Sequence, residues 1–278
     1  LEDKTSKIMA AHPSSSEVVD FTSASGNLAY TQENKLFISS LSFPIASTEN
    51  EVVSGQAIAR SEFGITKGTF WSNNGLVLAY YQKDEKPVAN YPLLNIDTPT
   101  GSLKSIKYPM AGQKSEKPAV VIYNVGANES VTVKPSGKSD DYLTNFGWGP
   151  KDEHFYIAEV NRGQNHMKLN KYNAKTGALE KTLFEEKSDK WVEPETPVYF
   201  VNDNQFVWMS ERDGFMNLYF YDDQGSLVRQ LTKNKWVVQD IVGHDAEYVY
   251  FHGTGESSME KHAYKVNIKS GKQEQLTK

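Results

Sequence analysis

Cysteine is absent from this chain of 278 residues, which rules out disulfides and thiolate metal sites but leaves an oxidising compartment open. No apolar run approaches the roughly 20 residues of a membrane-spanning helix. The formal net charge is only −5, and no basic cluster is interleaved with aromatics, so nucleic acid is not an expected partner. The histidines (His12, His154, His166, His244, His252, His262) have neither H-x-E nor H-E-x-x-H spacing, so neither metal nor cofactor is expected. Gly-x-Ser-x-Gly occurs nowhere, so no serine sits on a strained strand-to-helix turn and no catalytic triad can be written. The first residue is Leu1, which reads as a cut N-terminus with any targeting signal upstream.

Helical periodicity is also scarce, while aromatics make up 12% of the chain, a bias towards strands. The clearest local signal lies in Ala59 to Tyr80. Phe70 and Trp71 end one apolar run, Ser72-Asn73-Asn74-Gly75 supplies a turn, and Leu76 to Tyr80 run back. Asn-Gly between two such runs predicts a hairpin, because both residues tolerate positive φ. Just before it, Arg60-Ser61-Glu62 puts opposite charges beside Phe63, a short polar segment that could hold a ligand.

The hairpin recurs. Related copies span Glu17–Tyr30, Asn145–Ala158, Val198–Met209 and Asp240–Phe251, and a second hairpin is expected after each. Later turns fall at Lys175-Thr176-Gly177, Asp223-Gln224-Gly225 and Lys269-Ser270-Gly271. Their glycines lie 48 and 46 residues apart, and Gly126 lies 51 before Gly177. Two hairpins per unit make four antiparallel strands, the period of a propeller blade. The expected fold is all-β: about five blades in one partial propeller over 1–278, starting near residues 17, 63, 141, 195 and 236. Leu1 to Ala10 reads as the tail of a hairpin. Trp71 and Trp148 hold equivalent places and are expected in the core. Asp84-Glu85 reads as an exposed turn, since neighbours on a strand face opposite ways. Asn128-Glu129-Ser130 is a formal glycosylation sequon in a turn, expected to be unused. The second unit is too long, and residues 91–112 read as an inserted two-stranded arm turning at Thr98-Pro99-Thr100-Gly101. A lone β-ribbon is marginal in water, so a partner subunit is its natural support.

The segments GTFWSNNGLVLAYYQKDEKPVANYPL, KYPMAGQKSEKPAV and ERDGFMNLYFYDDQGSLVRQLTKNKW resemble the N-terminal propeller of bacterial dipeptidyl peptidase IV. The likeness runs from about Glu17 to Thr277. It implies an eight-bladed propeller followed by an α/β-hydrolase domain, with removal of N-terminal X-Pro or X-Ala dipeptides at a site between them. This chain departs from that pattern in supplying about five blades and no hydrolase domain. It is therefore expected to be an open, non-catalytic portion of a serine exopeptidase, inert alone.

The resemblance also implies a short propeller helix whose acidic side chains hold the substrate's free amine. Arg60-Ser61-Glu62-Phe63 is the matching stretch, and Glu62 is the expected anchor. Ser61 stands where the family often has a second glutamate. The alternative is a surface Glu62 paired with Arg60. The loop Lys190-Trp191-Val192-Glu193-Pro194-Glu195 matches the family's extended subsites without their aromatic-arginine pair. Trp191 could line the cavity there or be a buried blade tryptophan. Expected partners are the hydrolase domain, a peptide substrate and a second copy docked through the arm. The implied location is the bacterial periplasm or cell envelope. The competing function is a stand-alone propeller that binds a protein partner.

Overall fold

The computed structural model describes residues 8–46 and 49–277, with backbone alone at Arg60 and Ser61. The described residues form two compact units. The first runs to Ser61 and takes up Thr66–Val133 and Lys138–Asp140; the second comprises Glu62–Ile65, Lys134–Gly137 and the chain from Asp141 onward.

In the first unit, β1 (Val19–Phe21), β2 (Leu28–Gln32) and β3 (Lys35–Ile38) form an antiparallel sheet in that order. It has three strands, not the expected four, because the chain after Ile38 turns away and its next strand, β4 (Val52–Ser54), joins the following sheet. There β5 (Thr69–Trp71), β6 (Val77–Asp84), β9 (Lys117–Asn124) and β10 (Glu129–Thr132) pair antiparallel in succession. The short β5 covers only Leu78 to Tyr80 of the eight-residue β6, leaving Gln82 to Asp84 for β4. An unpaired run of buried backbone groups is costly, so a second short strand completes the ladder.

The predicted turn between β5 and β6 forms, with the Val77 carbonyl accepting from Ser72 N at 2.9 Å. Only Gly75 is left-handed, at φ +70°; Asn74 keeps negative φ and instead accepts from the Leu76 amide. At the β9–β10 turn Asn128 carries the positive φ, not Gly126. The two sheets of this unit meet through Leu36, Ile38, Leu78, Tyr80, Val121 and Tyr123. Trp71 is half-buried rather than core, and its indole N–H donates to the Asp20 carbonyl at 3.0 Å. Glu85 is not an exposed turn residue: its half-buried carboxylate pairs with Lys83 at 2.7 Å. The inserted arm is a two-stranded ribbon, β7 (Asn90–Asn95) with β8 (Ser102–Lys107), closed by a turn in which Gly101 N donates to Thr98 O. Of the expected hairpin tail Leu1 to Ala10, residues 1–7 lie outside the described residues and Ile8 to Ala10 are irregular.

The second unit contains three four-stranded antiparallel sheets, each in simple chain order. They are β11 (Tyr142–Trp148) to β14 (Leu179–Lys187), β15 (Tyr199–Asn202) to β18 (Leu227–Gln230), and β19 (Val238–His244) to β22 (Gln273–Gln275). The strands between are β12 (His154–Val160), β13 (His166–Asn173), β16 (Gln205–Ser210), β17 (Asn217–Asp222), β20 (Tyr248–Gly253) and β21 (His262–Asn267). The same cross-strand pair joins the two middle strands of each sheet: Phe155 on Tyr172, Phe206 on Tyr221 and Phe251 on Tyr264, with centroids 5.3, 5.5 and 5.4 Å apart and rings nearly parallel. Each such pair contributes about 0.5–1.5 kcal/mol beyond area burial. Trp148 is half-buried against Phe146 and Phe155, while Trp208, 1% exposed, is the core tryptophan. The buried carboxylate of Glu159 accepts from the Ser136 and Gly137 amides, the Ser136 hydroxyl and the Tyr172 hydroxyl, so its desolvation is offset by hydrogen bonds.

Candidate functional site

The polar stretch singled out above folds as a 3₁₀ helix, Ala59–Gly64. Its start lies in the first unit. There the Ala59 amide donates to Glu116 Oε1 at 3.1 Å, an acidic cap on an amide that has no partner within the helix. Its end lies in the second unit and is held three ways. The Phe63 ring is buried and packs on Tyr142 at 4.9 Å. The Phe63 carbonyl accepts from Asn145 Nδ2 at 3.0 Å. Gly64, at φ +66°, lies so close to the backbone of Glu195 that an added Cβ would come within 2.0 Å of its carbonyl oxygen. Only glycine fits both that approach and that dihedral.

Glu62 is exposed on this fixed turn, and no described residue pairs with its carboxylate. Arg60 and Ser61 belong to the same helix, but their side chains lie outside the described residues.

Asn145 was not singled out from sequence. It is 6% exposed at a bulge of β11, with φ +52°, and its Oδ1 lies 2.6 Å from Thr144 Oγ1. Asparagine tolerates the left-handed region better than most residues, and that is the one local signal it offered.

The loop between β14 and β15 carries the other candidates. Val192 and Pro194 are buried, and the Val192 amide donates to Gln164 O at 2.8 Å. Trp191 is 57% exposed, so the expectation of a buried blade tryptophan is corrected. Its indole N–H donates to Glu211 Oε1 at 3.1 Å, and it lines a cavity of about 750 Å³ with Glu186, Lys190, Glu193, Glu211 and Arg212. Arg212 stacks on Tyr219 with its guanidinium 4.2 Å from the ring centre, bonds the Tyr221 hydroxyl and pairs with Glu186. Glu186 also accepts from Trp208 Nε1 and the Ser210 hydroxyl, so the charges of that pair are spent internally. By contrast, no described basic residue pairs with Glu193, Glu195 or Glu211. Glu195 is exposed, yet partial desolvation, then repulsion from Glu193 and Glu211, raises its pKa above the ordinary carboxylate range. Among the described residues no three His, Asp or Glu side chains converge as metal ligands.

The geometry thus joins the helix end that bears Glu62 to the loop that bears Trp191 and Glu195. Comparison with known proteins identifies the fold that carries them. A structure from Bacteroides ovatus, assigned as a dipeptidyl aminopeptidase IV, superposes with a TM-score of 0.87 and 35% identity over 94% of this chain and 40% of that one. Porphyromonas gingivalis dipeptidyl peptidase 4 gives a TM-score of 0.86 over 98% of this chain and 40% of its own, at 24% identity, a likeness of fold. The protein assigned as dipeptidyl-aminopeptidase B in Podospora anserina is 26% identical over 291 aligned residues, covering 91% of this chain and 31% of that protein. The fold is a β-propeller of four-stranded antiparallel blades. The family model of the dipeptidyl peptidase IV N-terminal region matches residues 1–278, and the chain belongs to that family. It spans about a third of the length of the curated relatives it matches.

Proposed function

We propose that this chain is the substrate-selecting propeller of a dipeptidyl peptidase IV-like serine exopeptidase that releases X-Pro and X-Ala dipeptides. The reading rests on Glu62. An acidic side chain, exposed and without a described partner, sits on a turn fastened by Tyr142, Asn145 and the Glu195 backbone. A carboxylate held that way is prepared to accept a charged amine, and such a bond is worth about 1.5–3 kcal/mol net. A peptide with a blocked amine leaves the acid unpaired, which makes the enzyme an exopeptidase. The nucleophile comes from a hydrolase domain, since this chain holds no Gly-x-Ser-x-Gly turn. The propeller also limits entry to short or unfolded peptides, and the arm β7–β8 supports a homodimer. The same reading carries a bacterial periplasmic or cell-envelope location.

The test is turnover of a Gly-Pro chromogenic amide by the full-length gene product. Glu62→Gln is expected to raise KM about 10- to 100-fold, the loss of one charge-assisted bond, with kcat little changed. A KM unchanged by this substitution overturns the anchor.

A further inference from the structure

We propose that Asn145 is a positioning residue: from the bulge of β11 it holds the Phe63 carbonyl and so sets the direction in which Glu62 presents its carboxylate. The inference rests on the reading of Glu62 as amine anchor.

Glu62 is followed by two left-handed residues, Phe63 at φ +55° and Gly64 at φ +66°. A non-glycine residue there is strained and persists only where its surroundings over-determine it. The burial of the Phe63 ring on Tyr142 fixes where that residue lies. The Asn145 amide adds a direct hold on the peptide plane, because it grips the carbonyl one peptide beyond Glu62. The Ile65 amide then closes the turn on the Glu62 carbonyl at 3.1 Å, with the Ile65 side chain buried beneath.

Asn145 is itself held in one orientation. Its Oδ1 meets the Thr144 hydroxyl, which also lies 2.8 Å from the Ala158 carbonyl on the neighbouring strand. The Phe63 carbonyl can only accept, so the Asn145 NH2 faces it and Oδ1 is left to face the Thr144 hydroxyl. Like Phe63, Asn145 occupies the left-handed region, so a strained residue on one element restrains a strained residue on the other.

Two variants of the full-length protein separate the contributions. Asn145→Gly keeps the left-handed backbone and loses the amide; Asn145→Asp keeps the size and loses the donor. Hydrogen exchange of the 62–65 amides is expected to speed up about tenfold in both, the yield of one lost hydrogen bond, while the rest of the propeller is unchanged. KM for a Gly-Pro chromogenic amide should rise about fivefold to tenfold with kcat within about twofold. In a Glu62→Gln background the same changes should add nothing, since a misaimed anchor and an absent one lose the same bond. Unchanged exchange at 62–65, or KM effects that multiply in the double variants, overturns the proposal. A silent Glu62→Gln overturns the anchor reading itself. The exchange measurement needs no substrate, so it distinguishes that outcome from a failure of Asn145 to hold the turn.

Discussion

Glu195 shows how a single side chain can bear a cost that its neighbours impose. Partial desolvation, then Glu193 and Glu211, raise its pKa above the ordinary value of 4.5. A carboxyl whose pKa is raised in the fold binds its proton more tightly folded than unfolded. Stability therefore falls as pH rises through the window between the ordinary value and the raised one, and the full penalty remains above it. Glu195→Gln keeps the shape and removes the charge. We expect a higher Tm at pH 7 and no gain below about pH 4, where the wild-type carboxyl is protonated in both states. A lower Tm at pH 7 would show that the carboxylate is compensated. The short helix that carries Glu62 was expected from the family likeness, and Ala59–Gly64 does fold as a 3₁₀ helix. Asn145 was not legible, and the loop ending at Glu195 was singled out without its approach to Gly64, because both meet the helix from far along the chain.

At the scale of elements, the repeated aromatic pairs hold the later sheets together. Phe206 is fully buried, stacks on Tyr221 and packs on Phe200. Phe206→Ala removes the stack and leaves a cavity that close-packed strands cannot collapse to fill. The expected loss is about 3–5 kcal/mol, readable as a lowered denaturation midpoint in urea. A loss below about 1 kcal/mol would mean that the neighbouring rings repack. The turns of these sheets were readable from their Gly-containing tripeptides, and the strands from their aromatic runs. The three-stranded first sheet was not readable. Whether Val52-Val53-Ser54 completes that sheet or the next depends on the stretch of β6 that β5 leaves uncovered. That is a matter of strand lengths elsewhere, not of the three residues themselves.

On the whole-molecule scale, the arm β7–β8 is the feature on which the proposed homodimer rests. Leu93, Leu94, Ile96, Leu103 and Met110 are all exposed on it or beside it. A two-stranded ribbon is marginal by itself, and these exposed apolar side chains are what support the proposed homodimer contact. Leu94 and Leu103 stand directly opposite each other, 66% and 76% exposed. The double variant Leu94→Lys/Leu103→Glu replaces that pair with an ion pair that preserves the register. In the full-length protein we expect light scattering to shift from dimer to monomer mass with Tm little changed. A variant that keeps the dimer mass excludes the arm as the interface.

The amino-acid order by itself determined an all-β chain, its repeating hairpins, the inserted ribbon and the likeness to the dipeptidyl peptidase IV propeller. Strand alternation and left-handed turn residues act over a few positions, so a reader of the chain can see them. Tertiary structure alone decided that Trp191 is exposed, that Trp71 and Trp148 are only half covered, and that a buried asparagine bonds the backbone of the acidic turn. Burial and pairing depend on which distant segments come together, and only the folded chain brings them together.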